Sequence, residues 1–121
     1  MISREEMNPH GYKLTEEQER NQVKLHKAIN EIRAAWGKPM IVTSGVRSGE
    51  DQAKINPKAV KSKHLVGAAI DISDQTGALY KWCQENESLL EKNDLYIEAG
   101  TVGWVHFQCL PPKSRKRFFL P

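Results

Sequence analysis

The sequence of 121 residues is poor in the features that would place it quickly. It has only two cysteines, Cys83 and Cys109, and they do not form a C-x-x-C pair. With no secretory leader in view, both read as free thiols. No apolar run approaches the roughly 18 residues of a membrane-spanning helix, so membrane insertion is not expected. The opening residues MISREEMNPHGYKL are charged and lack the apolar stretch of a signal peptide. Synthesis in the cytoplasm is therefore expected. Internal repeats and low-complexity segments are lacking. The net charge is only +3, too small to imply a nucleic-acid partner, and helix-turn-helix and zinc-finger spacings are missing as well. The one basic run, Lys113 to Arg117, reads as part of a solvated tail over 111–121.

What remains is globular. Hydrophobic residues make up 39% and charged residues 27%, which excludes a disordered chain. The length suits one domain, expected over 1–121 with an N-terminal arm at 1–11. A chain of this size can bury about two-thirds of its unfolded surface in one modest core.

Thr15-Glu-Glu-Gln18 has the form of a capping box, in which the first and last side chains satisfy free backbone donors at a helix start. Leu25, Ala28, Ile29, Ile32, Ala35 and Trp36 then fall on one helical stripe, and Gly37 and Pro39 provide a stop. A helix over 15–36 follows. Short strands are expected at 40–43, 68–72, 95–98 and 104–108, and a second helix at 76–91. Residues 44–63 read as a long loop, uncommon in a small domain unless it serves a function. The order predicts an α+β fold, a small single domain with helices packed on one face of a mainly antiparallel sheet.

The informative segment is Ser62-Lys-His64-Leu-Val-Gly67-Ala-Ala69-Ile-Asp71. Strand alternation puts Gly67, Ala69 and Asp71 on one face and the apolar Ala68, Ile70 and Ile72 on the other. A turn at Gly67 brings His64 near the Asp71 carboxylate. In Trp104–Gln108, burial of Val105 and Phe107 leaves His106 on the opposite face, with Trp104 and Gln108. Two histidines, one aspartate and an open fourth position make a hydrolytic zinc site, with one Zn²⁺ per chain. Cys109 lies close to His106 in sequence but points to the other face and is expected to be buried. His10 and His26 lack partners and read as surface or helix-flank residues.

The pattern S-x-H-x-x-G-x-A-x-D, followed by W-x-H, resembles the zinc D-Ala-D-Ala carboxypeptidases, whose relatives include phage L-alanyl-D-glutamate endolysins and the Hedgehog signalling domain. Lys38-Pro39, Ser44-Gly45-Val46-Arg47-Ser48, Lys61 to Leu65, Trp104-Val-His106 and Pro111-Pro112 are similar to the short phage and prophage branch. The resemblance spans 12–121. It implies a Hedgehog/DD-peptidase-like fold and a zinc metallopeptidase acting on peptidoglycan stem peptides, as a carboxypeptidase or an endopeptidase. By this resemblance His64, Asp71 and His106 are the metal ligands and Arg47 contacts substrate carbonyl or carboxylate groups. Ser62 stands near the substrate, and Trp104 lines the cleft. Many members place the catalytic acid three residues before the last histidine, where this sequence has Gly103. Glu98 resembles the glutamate of the phage branch and is assigned as the base that activates a zinc-bound water. A monomer is expected, released by a phage lysis system or carried in a virion. The alternative is a non-catalytic zinc-binding wall or virion module of the same fold.

Overall fold

A computed structural model describes residues 1–47 and 62–121. Ser48, Lys61 and most of the expected 44–63 loop lie outside the described residues. Element α1 is Arg4–Met7 and α2 is Glu16–Trp36. Strand β1 spans Val42–Ser44 and β2 spans Ala69–Asp74. Helices α3, Ala78–Glu85, and α4, Glu87–Lys92, follow. Strands β3, Tyr96–Glu98, β4, Gly103–Gln108, and β5, Phe118–Phe119, complete the chain.

Helix α2 begins and ends as its sequence dictates. Thr15 and Gln18 close a reciprocal capping box, and Gly37 takes the left-handed conformation at the C-cap. Its buried stripe runs through Leu25, Ala28, Ile29 and Ile32, but Ala35 is exposed. The expected helix over 76–91 is two helices. Asn86 leaves the helical conformation, and its side-chain amide donates to the Trp82 carbonyl, the competition with backbone bonding that makes asparagine a poor helix-interior residue.

The sheet order is β1-β2-β4-β3-β5, antiparallel throughout except for the β3–β5 pair. This is the expected α+β domain with a mainly antiparallel sheet. Ile70 pairs with Phe107 and Ile72 with Val105, and these four side chains join Ile97, Leu25, Ile29, Ile32, Leu79, Cys83 and Leu90 in one core. The helices thus cover one face, and Asp71 and His106 belong to the other. Among the described residues no helix is long and apolar enough to cross a membrane.

Both chain ends depart from the expected arm and tail. Ser3 and Glu6 form a second capping box, and Ile2 and Met7 are buried in the core. At the other end, Phe118 and Phe119 extend the sheet, with Ile97 and Ala99 N–H groups donating to Arg117 and Phe119 carbonyls at 2.8 and 2.6 Å. Arg117, read as a solvated tail residue, stacks over the Tyr96 ring and donates to the Leu95 carbonyl. A two-residue strand carries no readable alternation, which is why composition alone suggested a tail.

Candidate metal centre

The turn that carries His64 is held by helix α2. Gln18, Asn21 and Gln22 share one helical flank, and their amides donate to three successive carbonyls, Leu65, Val66 and Gly67, at 2.8–2.9 Å. Gln18 does two jobs: its oxygen caps α2 through Thr15 N–H, and its nitrogen reaches Leu65. The turn ends at Gly67, with φ +74° and Gln18 backbone atoms where a Cβ would stand. Sequence reading missed this amide trio; its signal is polar residues at helical spacing beside the apolar stripe. The hydroxyl of Ser62, expected near substrate, accepts from the His64 N–H at 3.3 Å and so caps the turn.

In register, Asp71 lies directly opposite His106. Asp71 Oδ1 sits 3.2 Å from His64 Nε2 and 3.0 Å from His106 Nδ1. All three residues are buried. Each far ring nitrogen has a partner too: His64 Nδ1 is 2.8 Å from the Gly45 carbonyl, and His106 Nε2 is 2.8 Å from Gln108 Oε1. A carbonyl only accepts, so those outer nitrogens carry hydrogens, and the inner ones facing Asp71 are the pair that can give up a proton to a metal ion. Two imidazole lone pairs and a carboxylate oxygen, all within 4.8 Å of one another, converge on one point. Such a set repels itself unless a cation or protons lie between. The nitrogen, nitrogen, oxygen donors and their anchored outer partners fit Zn²⁺.

The electrostatics agree. Burial opposes ionisation of Asp71, but hydrogen bonds and charge from His106 and His64 outweigh it and hold its carboxyl well below the usual range. Burial likewise opposes a charged His106, yet the bond to Asp71 and its charge push the imidazole pKa up. The field that stabilises a proton here is the field that attracts a metal ion. Asp71 Oδ2 faces Arg47 Nη2 at 3.3 Å, while Arg47 Nε donates to Ser44 Oγ at 3.0 Å. Burial lowers the Arg47 pKa against the opposing pull of Asp71. Arg47, expected at the substrate, therefore also orients a metal-ligand candidate.

Glu98 ends β3. The β3–β4 register pairs Tyr96 with Gln108 and Ile97 with Phe107, and Glu98 follows that last pair on the parity opposite the buried Ile97. Glu98 is half-buried, and its charge contributes to the raised His106 pKa. Among the described residues its carboxylate makes no hydrogen bond or ion pair. Gly103, at the start of β4, brings no side chain to the site. Trp104 is 39% exposed and lines a cleft of about 270 Å³ with Asp74, Tyr80 and Val102, a cleft that none of His64, Asp71, His106, Arg47 and Glu98 lines.

The remaining candidates lie apart. Cys83 and Cys109 are free and buried, and burial pushes their thiols up to about 12 and about 11. His26 Nε2 bonds to the Ile2 carbonyl, and His10 packs against Tyr12.

A family model described as Peptidase M15 matches residues 1–106. The chain belongs to the Peptidase M15 family. This is the family of the zinc D-Ala-D-Ala carboxypeptidases, whose motif the His64–Asp71 segment resembles. No curated protein and no solved structure matches the chain. As an M15 peptidase-family member it carries a His-Asp-His cluster suited to zinc, in a family that depends on zinc.

The cluster also depends on a close backbone approach. A Cβ on Gly45 would lie 2.2 Å from the Met7 carbonyl oxygen, which already accepts from Val46 N–H. Gly45→Ala is expected to push the 45–47 segment outward, taking the His64 acceptor with it. Overpacking of this kind costs about 1–3 kcal/mol. Thermal denaturation should show a lowered midpoint, and a chelator competition a weakened zinc affinity. An unchanged midpoint would show that the segment moves freely.

Proposed function

We propose that this M15-family chain, as one zinc peptidase-like domain, hydrolyses peptide bonds of peptidoglycan stem peptides. The observation that carries the reading is the convergence of His64, Asp71 and His106 on one point in a chain of this family. Those three residues would hold the metal. Zinc in a three-ligand site supplies Lewis acidity and lowers the pKa of water toward about 7. Glu98 takes the proton from the attacking water and delivers it to the leaving amine. Arg47 offers a guanidinium fork to a substrate carboxylate, or to the carbonyl oxygen as charge builds on it. Trp104, two residues before His106 on β4, contacts the substrate, and Ser62 supports the turn beside it.

Two bonds fit this chemistry: the terminal D-alanyl-D-alanine bond and the L-alanyl-D-glutamate bond within the stem. Kinship with the phage branch, and release by a lysis system or a virion, belong to the same reading. The test is metal analysis together with digestion of purified sacculi, with and without a chelator. About one zinc per chain and chelator-sensitive release of peptide fragments are expected, and mass spectrometry of the muropeptides identifies the bond. Zinc with tight muropeptide binding but no cleavage would replace the peptidase with a non-catalytic wall or virion module. A chain that takes up no zinc would end the metal reading altogether.

A further inference from the structure

We propose that Gln108 is a positioning residue that fixes the tautomer and orientation of His106 for metal binding. The inference rests on the zinc reading of the His64–Asp71–His106 cluster. Gln108 is two residues beyond His106 on β4, shares its face, and is 3% exposed. The family match ends at residue 106, so Gln108 and its own partner Leu110 lie outside the matched stretch.

The amide has only one consistent orientation. Gln108 Nε2 donates to the Leu110 carbonyl at 2.8 Å, which leaves Oε1 facing His106 Nε2 at 2.8 Å. That oxygen can only accept. His106 Nε2 must therefore carry a hydrogen, which makes Nδ1, 3.0 Å from Asp71 Oδ1, the ring nitrogen available to a metal ion. On His64 the Gly45 carbonyl performs the same task. There the acceptor is a backbone carbonyl; on His106 it is a side chain, and a single replacement removes it. Phe119 packs edge-on against the His106 ring at 6.2 Å, so the ring is held by shape as well, but shape does not choose a tautomer. A buried glutamine on a sheet face is otherwise hard to explain, because an apolar side chain would avoid desolvating the amide.

The test measures metal affinity, not turnover. Zinc dissociation constants of the wild type, Gln108→Leu and Gln108→Glu are obtained by competition with a chromogenic chelator. Loss of an outer-shell partner weakens metal binding by about 10–100-fold, which is the effect expected for leucine. Glutamate keeps an acceptor toward His106 but loses the donor to Leu110, so it should weaken binding clearly less than leucine. Long-range proton–nitrogen correlation spectra of the zinc-loaded wild type should show His106 Nε2 protonated, a readout that needs no variant to fold. Leucine binding zinc as tightly as the wild type, both variants weakening alike, or a protonated His106 Nδ1 would each overturn the assignment while leaving the zinc site standing. A wild type that binds no zinc would overturn both.

Discussion

Glu98→Gln is expected to abolish most peptide hydrolysis while leaving zinc bound. A general base contributes about 10²–10⁴-fold to rate, so kcat should fall by that order. The geometry isolates the effect. Glutamine has the size of glutamate, and among the described residues the Glu98 carboxylate holds no partner that the change would release. Glu98 stands one residue beyond the Ile97–Phe107 pair, and is not among the three converging ligand residues. Zinc content and thermal midpoint should therefore match the wild type. Its charge raises the His106 pKa, so the substitution should lower that pKa slightly. Kinetics on sacculi or a muropeptide, with metal content measured in the same preparation, check the expectation. Wild-type turnover in the glutamine variant would remove Glu98 from the mechanism. Position 103, occupied by glycine, offers no side chain to replace it.

Much of this site was legible because alternation in a strand is a strict rule. Ile70, Ile72, Val105 and Phe107 mark the buried face, and the opposite parity then forces Asp71 and His106 onto the other. What alternation could not supply was the pairing register that sets Asp71 against His106, since register depends on long-range partners. The start and stop of α2 were readable from Thr15, Gln18 and Gly37 because caps are local chemistry. The break at Asn86 was not, because its amide's bond to Trp82 overrides an otherwise helical spacing. Helix α1 and strand β5 are too short to show a period. The supports of the metal cluster, Gly45, Gln18, Asn21, Gln22 and Gln108, were invisible as such. Each acts through a partner distant in sequence, or, for Gln108, through a ring whose tautomer only the fold determines.

Asp71→Asn is the second large effect, and it should separate metal binding from stability. One oxygen of Asp71 faces both histidines and the other faces Arg47. Asparagine keeps the shape but removes the charge. Zinc then loses one of three candidate ligands, and affinity should drop by more than the 10–100-fold of an outer-shell partner. The metal-free protein should suffer too, because the buried negative charge that faces Arg47 and both histidines is removed. The side chains of Arg47 and Asp71 are 13% and 10% exposed. Breaking a buried pair by removing one partner costs about 3–5 kcal/mol, and the residual exposure places this pair toward the lower end. The pH dependence follows from the depressed Asp71 pKa. Its stabilisation is fully present above the unfolded carboxylate value, near 3.9, and is lost as pH falls through the folded value. In chelator, the stability gap between wild type and variant should therefore be wide at neutral pH and narrow in strong acid. Denaturant melts across that range measure it. A gap independent of pH would mean that the Asp71 charge contributes nothing, and that the cluster is held by packing alone.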